Sequence, residues 1–262
     1  MRTPPKAVIH INFDIGNLVF DARPIRTALA DAAQWGTIPT STVHDLLEEL
    51  VESGLYLATR HCLMSTAVQE LKTAIGALCE LIPENWIPPP ERIVRGPSWE
   101  RKRDHVLLAV DSFLFEFRSF LDLLARFAYD VLVGIGKGPP QVVTLSSGQT
   151  IDIIDRKKLI VRKHNFLRFL TDQLGVSTDW YDFLVLHRNF LTHQGAPYCA
   201  IDHRNIIPAE YDVLIMTKNI TDFSKADPAD FFRVSECQDV VNGVHQLSLA
   251  IQEHLVKSVR DT

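Results

Sequence analysis

Residues 104–133, DHVLLAVDSFLFEFRSFLDLLARFAYDVLV, run for thirty positions without a proline or a glycine. Asp111, Arg118, Ser119, Asp122 and Arg126 mark one narrow polar face, while Phe113, Leu114, Phe117, Phe120, Leu121, Leu124 and Phe127 cover most of the remainder. The spacing predicts a helix about 45 Å long at 1.5 Å per residue. A helix apolar over most of its circumference has to be covered on several sides, so it belongs at the centre of a bundle or along a dimer seam. Glu116 falls among the phenylalanines, and a carboxylate there needs a partner. Arg118 or Arg126 is the expected one, and Arg188 is the alternative.

Other segments carry helical periodicity. Pro24 opens a short helix over residues 25–33. Ser41 or Thr42 caps a helix that Gly54 is expected to end, and a second runs from about Ala58 to Leu81, stopped by Pro83. Pro88-Pro89-Pro90 and Gly96-Pro97 bracket a stiff connector that Trp86 and Trp99 pin to the body. Asp155 is expected to cap a helix reaching Gly175, and Ser177, Thr178 or Asp179 the next one, which ends near His193. After it, residues 198–208 read as irregular and residues 211–216 as a short strand. Asp227-Pro228 opens a last helix through about Val259.

Strand signals are fewer. Residues 6–20 are β-prone around a turn at Asp14-Ile15-Gly16-Asn17, and QVVTL-SSG-QTIDII reads as a hairpin. Gly134-Ile135-Gly136-Lys137-Gly138-Pro139-Pro140 superficially resembles a phosphate loop. It follows a helix, and two prolines stand where a phosphate cradle needs N–H donors, so it reads as a linker.

The chain has 262 residues, 46% hydrophobic and 23% charged, with a net charge of −5. That is ordinary for a globular protein, and any nucleic-acid site must be a local patch. No apolar run is long enough to span a bilayer, and MRTPPKAVIHINFDIG lacks the apolar core of a signal peptide. The expectation is a cytoplasmic protein without membrane association. Cys62, Cys79, Cys199 and Cys237 form no CxxC and read as reduced core thiols.

Chemistry concentrates in residues 184–198, LVLHRNFLTHQGAPY. On a helix Asn189 and His193, four apart, share a face. Arg188 is five residues from His193, about 140° round the helix, but its long side chain can swing toward the same pocket. A guanidinium binds phosphate, an imidazole moves protons near neutral pH, and an amide can orient that imidazole. Such a set can break a phosphodiester without a metal or cofactor.

The sequence RNFLTH followed by Gly195 and Pro197 resembles the signature of the HEPN superfamily, R-x(4–6)-H with a polar residue directly after the arginine. The resemblance implies an all-α fold, an antiparallel helical bundle of HEPN type. Residues 98–262 would form it, with a small β-hairpin insertion near 141–154, and residues 1–97 would be an N-terminal helical extension with a β-prone arm. It further implies a metal-independent endoribonuclease acting on single-stranded RNA by attack of the 2′-hydroxyl. Arg188, Asn189 and His193 would be its catalytic residues and a two-fold homodimer its active unit. Many such enzymes serve toxin–antitoxin, antiviral defence or stress systems, so an antitoxin or defence-system partner is implied as well. Some members carry a tyrosine two residues after the histidine that a partner can nucleotidylate. Here that position is Gly195 and the next tyrosine is Tyr198, so that pattern is not met.

Arg156, Lys157, Lys158, Arg162, Lys163, His164 and Arg168 are the one dense basic segment of an acidic chain. They are either a solvated face or a track for RNA phosphates, and the second reading gives Arg156, Lys157, Lys158, Arg162, Lys163 and Arg168 as RNA-binding residues. His187, His193 and His203 are close in sequence, but the six-residue spacing of the first two puts them on different helix faces, against a metal pair. No G-x-S-x-G, P-loop lysine motif or Rossmann fingerprint occurs. Two alternatives to a ribonuclease stay open: a non-catalytic HEPN-like module that binds RNA or a nucleotide, and a structural helical dimerisation protein.

Overall fold

The computed structural model describes residues 20–81, 97–155, 157–158, 160–194, 199–204, 210–217 and 230–262. The β-prone stretch before Phe20, Pro83, Trp86, the triple proline, Arg156, residues 195–198 and Asp227-Pro228 lie outside them. The described residues are mostly helical with small antiparallel sheets. They pack as two compact units, each assembled from separated stretches of chain. One draws on residues 65–116 and 182–241, the other on 16–64, 117–181 and 242–262.

Helix α1 (Arg23–Gln34) carries Pro24 in its first turn, as expected, and buries Ile25, Ala28, Leu29 and Ala32. Helix α2 (Thr40–Cys79) corrects the expected break at Gly54, because it continues straight through. Val43, Leu46, Leu50, Leu57, Met64, Val68, Leu71, Ile75 and Leu78 are all buried and recur at three, four or seven residues. One glycine in a helix costs about 1 kcal/mol. Each large apolar side chain buried along the stripe contributes about 1.5–3 kcal/mol, so the stripe wins. Beside Gly54, the Ala22 methyl stands 3.8 Å from where a Cβ would lie.

Helix α3 (Pro97–Gly134) contains the long apolar run and buries Phe113, Leu114, Phe117, Phe120, Leu121, Leu124 and Phe127 completely. Trp99 is buried in its first turn. On its polar face Arg118 pairs with Asp122 and Arg126 with Asp130. The linker that follows turns at Gly136, whose φ is +74°.

The expected hairpin is present, with β1 (Val142–Thr144) antiparallel to β2 (Thr150–Asp152). Asp155, however, caps a turn and not a helix. Its Oδ1 accepts from the Lys157 and Lys158 backbone N–H groups at 2.9 and 3.2 Å. This closes a second hairpin, β3 (Ile154–Asp155) against β4 (Ile160–Val161). Helix α4 (Lys163–Leu174) therefore starts seven residues later than expected, and it ends as predicted at Gly175, left-handed with φ 64°.

Helix α5 (Asp179–Gln194) is the motif helix. Two expectations after it are corrected. Residues 199–204, read as irregular, form β5 (Cys199–Arg204), paired along its length with β6 (Glu210–Met216). Residues 231–233, expected to be helical, form β7 (Phe231–Arg233), which pairs with residues 214–216 of β6 and buries Phe232 between two half-buried neighbours. A 3-10 turn (Val234–Glu236) follows, braced by the Asp212 carboxylate, which accepts from the Ser235 N–H and hydroxyl. Only then does α6 (Cys237–Arg260) begin. At Gly243 the Trp180 ring lies so close that a Cβ would sit 2.2 Å from it.

Candidate functional site

Helix α5 begins where the sequence places caps: the Ser177 hydroxyl accepts from Asp179 N–H at 3.4 Å, and the Thr178 carbonyl from Tyr181 N–H at 2.9 Å. Its side chains divide by face. Tyr181, Leu184, His187 and Leu191 are buried, with Arg188 half-buried beside them. Asp182, Leu186, Asn189 and His193 are exposed, at spacings of four, three and four residues. Asn189 and His193 thus share the solvent-facing stripe.

Arg188 joins the two faces. Its Nε is buried without a hydrogen-bond partner. Its Nη1 turns outward and donates to Asn189 Oδ1 at 3.4 Å. Thr192 donates its hydroxyl to the Arg188 carbonyl at 2.8 Å, within the last turns of the helix. The guanidinium therefore stands at the rim of the stripe carrying Asn189 and His193, and among the described residues no carboxylate pairs with it. A cation bonded only to a neutral amide keeps its charge for an anion.

His187 is not part of that stripe. Its ring packs 4.3 Å from Phe183 and 4.4 Å from Phe232, centroid to centroid, and its Nδ1 has no partner. Burial pushes its pKa down to about 4, so at neutral pH it is an uncharged core ring. His203 lies on β5. Among the described residues no three His, Cys, Asp or Glu side chains group as a metal site.

The basic segment separates into parts. Lys157 and Lys158 are exposed at the tip of the β3–β4 hairpin. Arg162 precedes α4, with its guanidinium 4.0 Å from the Asp155 carboxylate, and Lys163 is half-buried as the first α4 residue. Arg168 donates to Gln149 Oε1 at 3.1 Å, which ties α4 to the first hairpin. These residues belong to one compact unit and Arg188, Asn189 and His193 to the other.

The thiols match the sequence reading in part. Cys199 and Cys237 are buried and Cys79 half-buried, but Cys62 is exposed, and none of the four is in a disulfide. Burial pushes Cys79 up to about 11 and Cys199 up to about 12, and a thiol held protonated is a poor nucleophile.

Sequence reasoning missed a polar cluster at the start of α5. The Tyr181 hydroxyl bonds both Arg118 and His164. The available signal was the Arg118/Asp122 pair at i, i+4 on the otherwise apolar α3. Among the described residues no helix is long and apolar enough to cross a membrane. Comparison of the chain with models of protein families, with curated proteins and with solved structures gave no match.

Proposed function

We propose that this protein is a HEPN-type endoribonuclease that cuts single-stranded RNA without a metal, acting as a two-fold homodimer. The observation that carries the reading is the guanidinium of Arg188, turned outward by its bond to Asn189 onto the exposed stripe that holds His193. In the proposed reaction an imidazole of His193 takes the 2′-hydroxyl proton. The 2′-oxygen attacks the adjacent phosphorus, and Arg188 stabilises the charge gathering on the phosphorane oxygens. The bond from phosphorus to the 5′-oxygen breaks, and the second copy's His193 supplies the proton that oxygen needs. The products are a 2′,3′-cyclic phosphate and a 5′-hydroxyl. Asn189 holds the guanidinium in place.

The second copy is called for by the chemistry, because one imidazole cannot stand on both sides of the phosphorus. Leu186, 65% exposed one turn before Asn189, is the position at which its presence can be tested. The deciding experiment incubates the purified protein with single-stranded RNA in EDTA and analyses the fragment ends. Cleavage leaving cyclic phosphates is expected, and a 2′-deoxy substrate should be inert. Activity that requires a divalent ion, or that cuts the 2′-deoxy strand equally well, rules the mechanism out. RNA binding without cleavage would favour the non-catalytic module.

A further inference from the structure

Tyr181 is 1% exposed and stands in the first turn of α5. A buried phenol needs a hydrogen-bond partner, and this one has a charged guanidinium and an imidazole. Arg118, on α3, donates from Nη1 to the Tyr181 oxygen, with its guanidinium carbon 5.3 Å from the ring centroid. The Asp122 carboxylate, 3.1 Å from Arg118 Nη2, balances the charge. His164, on α4, places Nδ1 2.9 Å from the same oxygen, and its ring stacks on Tyr181 at 5.3 Å and 22°.

Arginine can only donate, so the phenol oxygen accepts from Arg118, and the same oxygen is bonded to His164 Nδ1. Side chains from three helices, all three residues within one unit, thus converge on one oxygen atom. On the neighbouring position Trp180 rests against Gly243 of α6, and its ring lies 5.7 Å from that of Tyr181.

A phenylalanine would fill the same space without drawing a guanidinium out of water. What the hydroxyl adds is direction, because hydrogen bonds are angular and apolar packing is not. Tyr181 and Arg188 are seven residues apart on one unbroken helix. That places them within roughly 20° of the same azimuth, about 10 Å apart along the axis. Any roll of α5 that breaks the Tyr181 bonds carries Arg188 off the inner edge and swings Asn189 and His193 with it.

We propose that Tyr181, clamped by Arg118 and His164, is a positioning residue that sets the rotation of the motif helix and so the aim of Arg188, Asn189 and His193. The catalytic half of this statement rests on the ribonuclease reading, whereas the clamp itself does not. The test uses the full chain and four variants: Tyr181→Phe, His164→Leu, His164→Asn and Arg118→Gln. Asparagine keeps a hydrogen-bonding group for the Tyr181 oxygen and leucine does not.

Amide hydrogen exchange along residues 184–193 is the readout independent of activity. It should speed up about tenfold in Tyr181→Phe, Arg118→Gln and His164→Leu, the effect of one missing hydrogen bond. In His164→Asn it should stay near wild type. On RNA, kcat should fall about tenfold in the same three variants with KM unchanged, because aim is lost and binding is not. Unchanged exchange and kcat in Tyr181→Phe overturn the clamp, as does His164→Asn behaving like His164→Leu. Should Tyr181→Phe fail to fold, the two His164 variants decide. Should the wild-type protein leave RNA intact, the ribonuclease reading falls, and the exchange data still decide the clamp.

Discussion

Arg188 Nη1 donates to Asn189 Oδ1 across 3.4 Å, although consecutive helix residues point about 100° apart. The bond forms because the arginine stem leaves the buried side of α5 and wraps toward the exposed side. Its Nε stays behind, buried and unpartnered, so the guanidinium is held by packing at one end and by a neutral amide at the other. Among the described residues no carboxylate stands beside this guanidinium, so its charge is unbalanced there.

If that charge and His193 carry the chemistry, alanine at either position should lower single-turnover cleavage of RNA by roughly 10²–10⁴-fold. His193 is exposed, so its removal should leave the thermal midpoint nearly unchanged. Asn189→Ala should cost less, about tenfold, because it releases a guanidinium that remains present. Arg188→Lys keeps a positive charge and loses the fork, and should recover little. A His193→Ala protein that cleaves at the wild-type rate would remove the histidine from the mechanism.

His187, next to the catalytic candidates, should declare itself in stability and not in activity. Its pKa is held near 4 by burial, against an ordinary value of about 6.5. As pH falls through 6.5 the unfolded chain takes up a proton that the folded chain refuses until about pH 4. Stability present above pH 6.5 is therefore lost between those values, by on the order of 3 kcal/mol. Urea unfolding from about pH 7 to about pH 4 should show the loss, and His187→Leu should flatten that limb. An acid limb of the same depth in the variant would assign the effect to other groups.

The helical elements were legible because periodic apolar stripes are a one-dimensional signal. Phe113, Phe117, Phe120, Leu124 and Phe127 could be counted off the sequence. Gly54 misled because its local cost had to be weighed against a burial pattern on both sides of it. Asp155 misled for a related reason: an aspartate before two lysines can accept from the first N–H groups of a helix or of a tight turn. Ile160 and Val161, which pair with Asp155 and Ile154, decide the matter. Strand β5 was invisible because CAIDHR alternates too weakly, and its partner strand supplies the order. At the site, the shared face of Asn189 and His193 followed from their spacing. The inward anchor of Arg188 is a matter of burial, and the Tyr181 clamp depends on Arg118 of α3 and His164 of α4. No local pattern near the motif encodes either.

The basic segment should prove heterogeneous. Lys157, Lys158, Arg162 and Lys163, replaced together by glutamine, should weaken RNA affinity and flatten its salt dependence. On a single strand the log–log slope should fall by about 0.7 for each phosphate that no longer has a cation beside it. Arg168 is already bonded to Gln149 of the first hairpin, so Arg168→Gln should leave the slope alone and instead raise amide exchange at the β1–β2 turn. Binding measured between about 50 and 200 mM salt separates the two. An unaltered slope in the quadruple variant would make residues 157–163 a solvated face.

One motif supplies one arginine and one histidine, and in-line cleavage needs a base on one side of the phosphorus and an acid on the other. A single imidazole cannot stand on both sides. The exposed stripe of α5 offers Leu186 and His193 together, and a two-fold axis passing beside it would bring a second His193 to the same phosphate. Isologous dimers are the commonest homo-oligomers and need only one self-complementary patch. Leu186→Arg should set two cations face to face across such an axis, which shifts light scattering toward monomer and abolishes cleavage while the thermal midpoint of the fold is kept. Mixing is the sharper experiment. Arg188→Ala and His193→Ala chains, each inactive alone, should recover part of the activity when combined, because a heterodimer restores one intact copy of each group to a shared groove. A monomer that cleaves RNA at full rate at assay concentration, or a mixture no more active than its parts, removes the composite site.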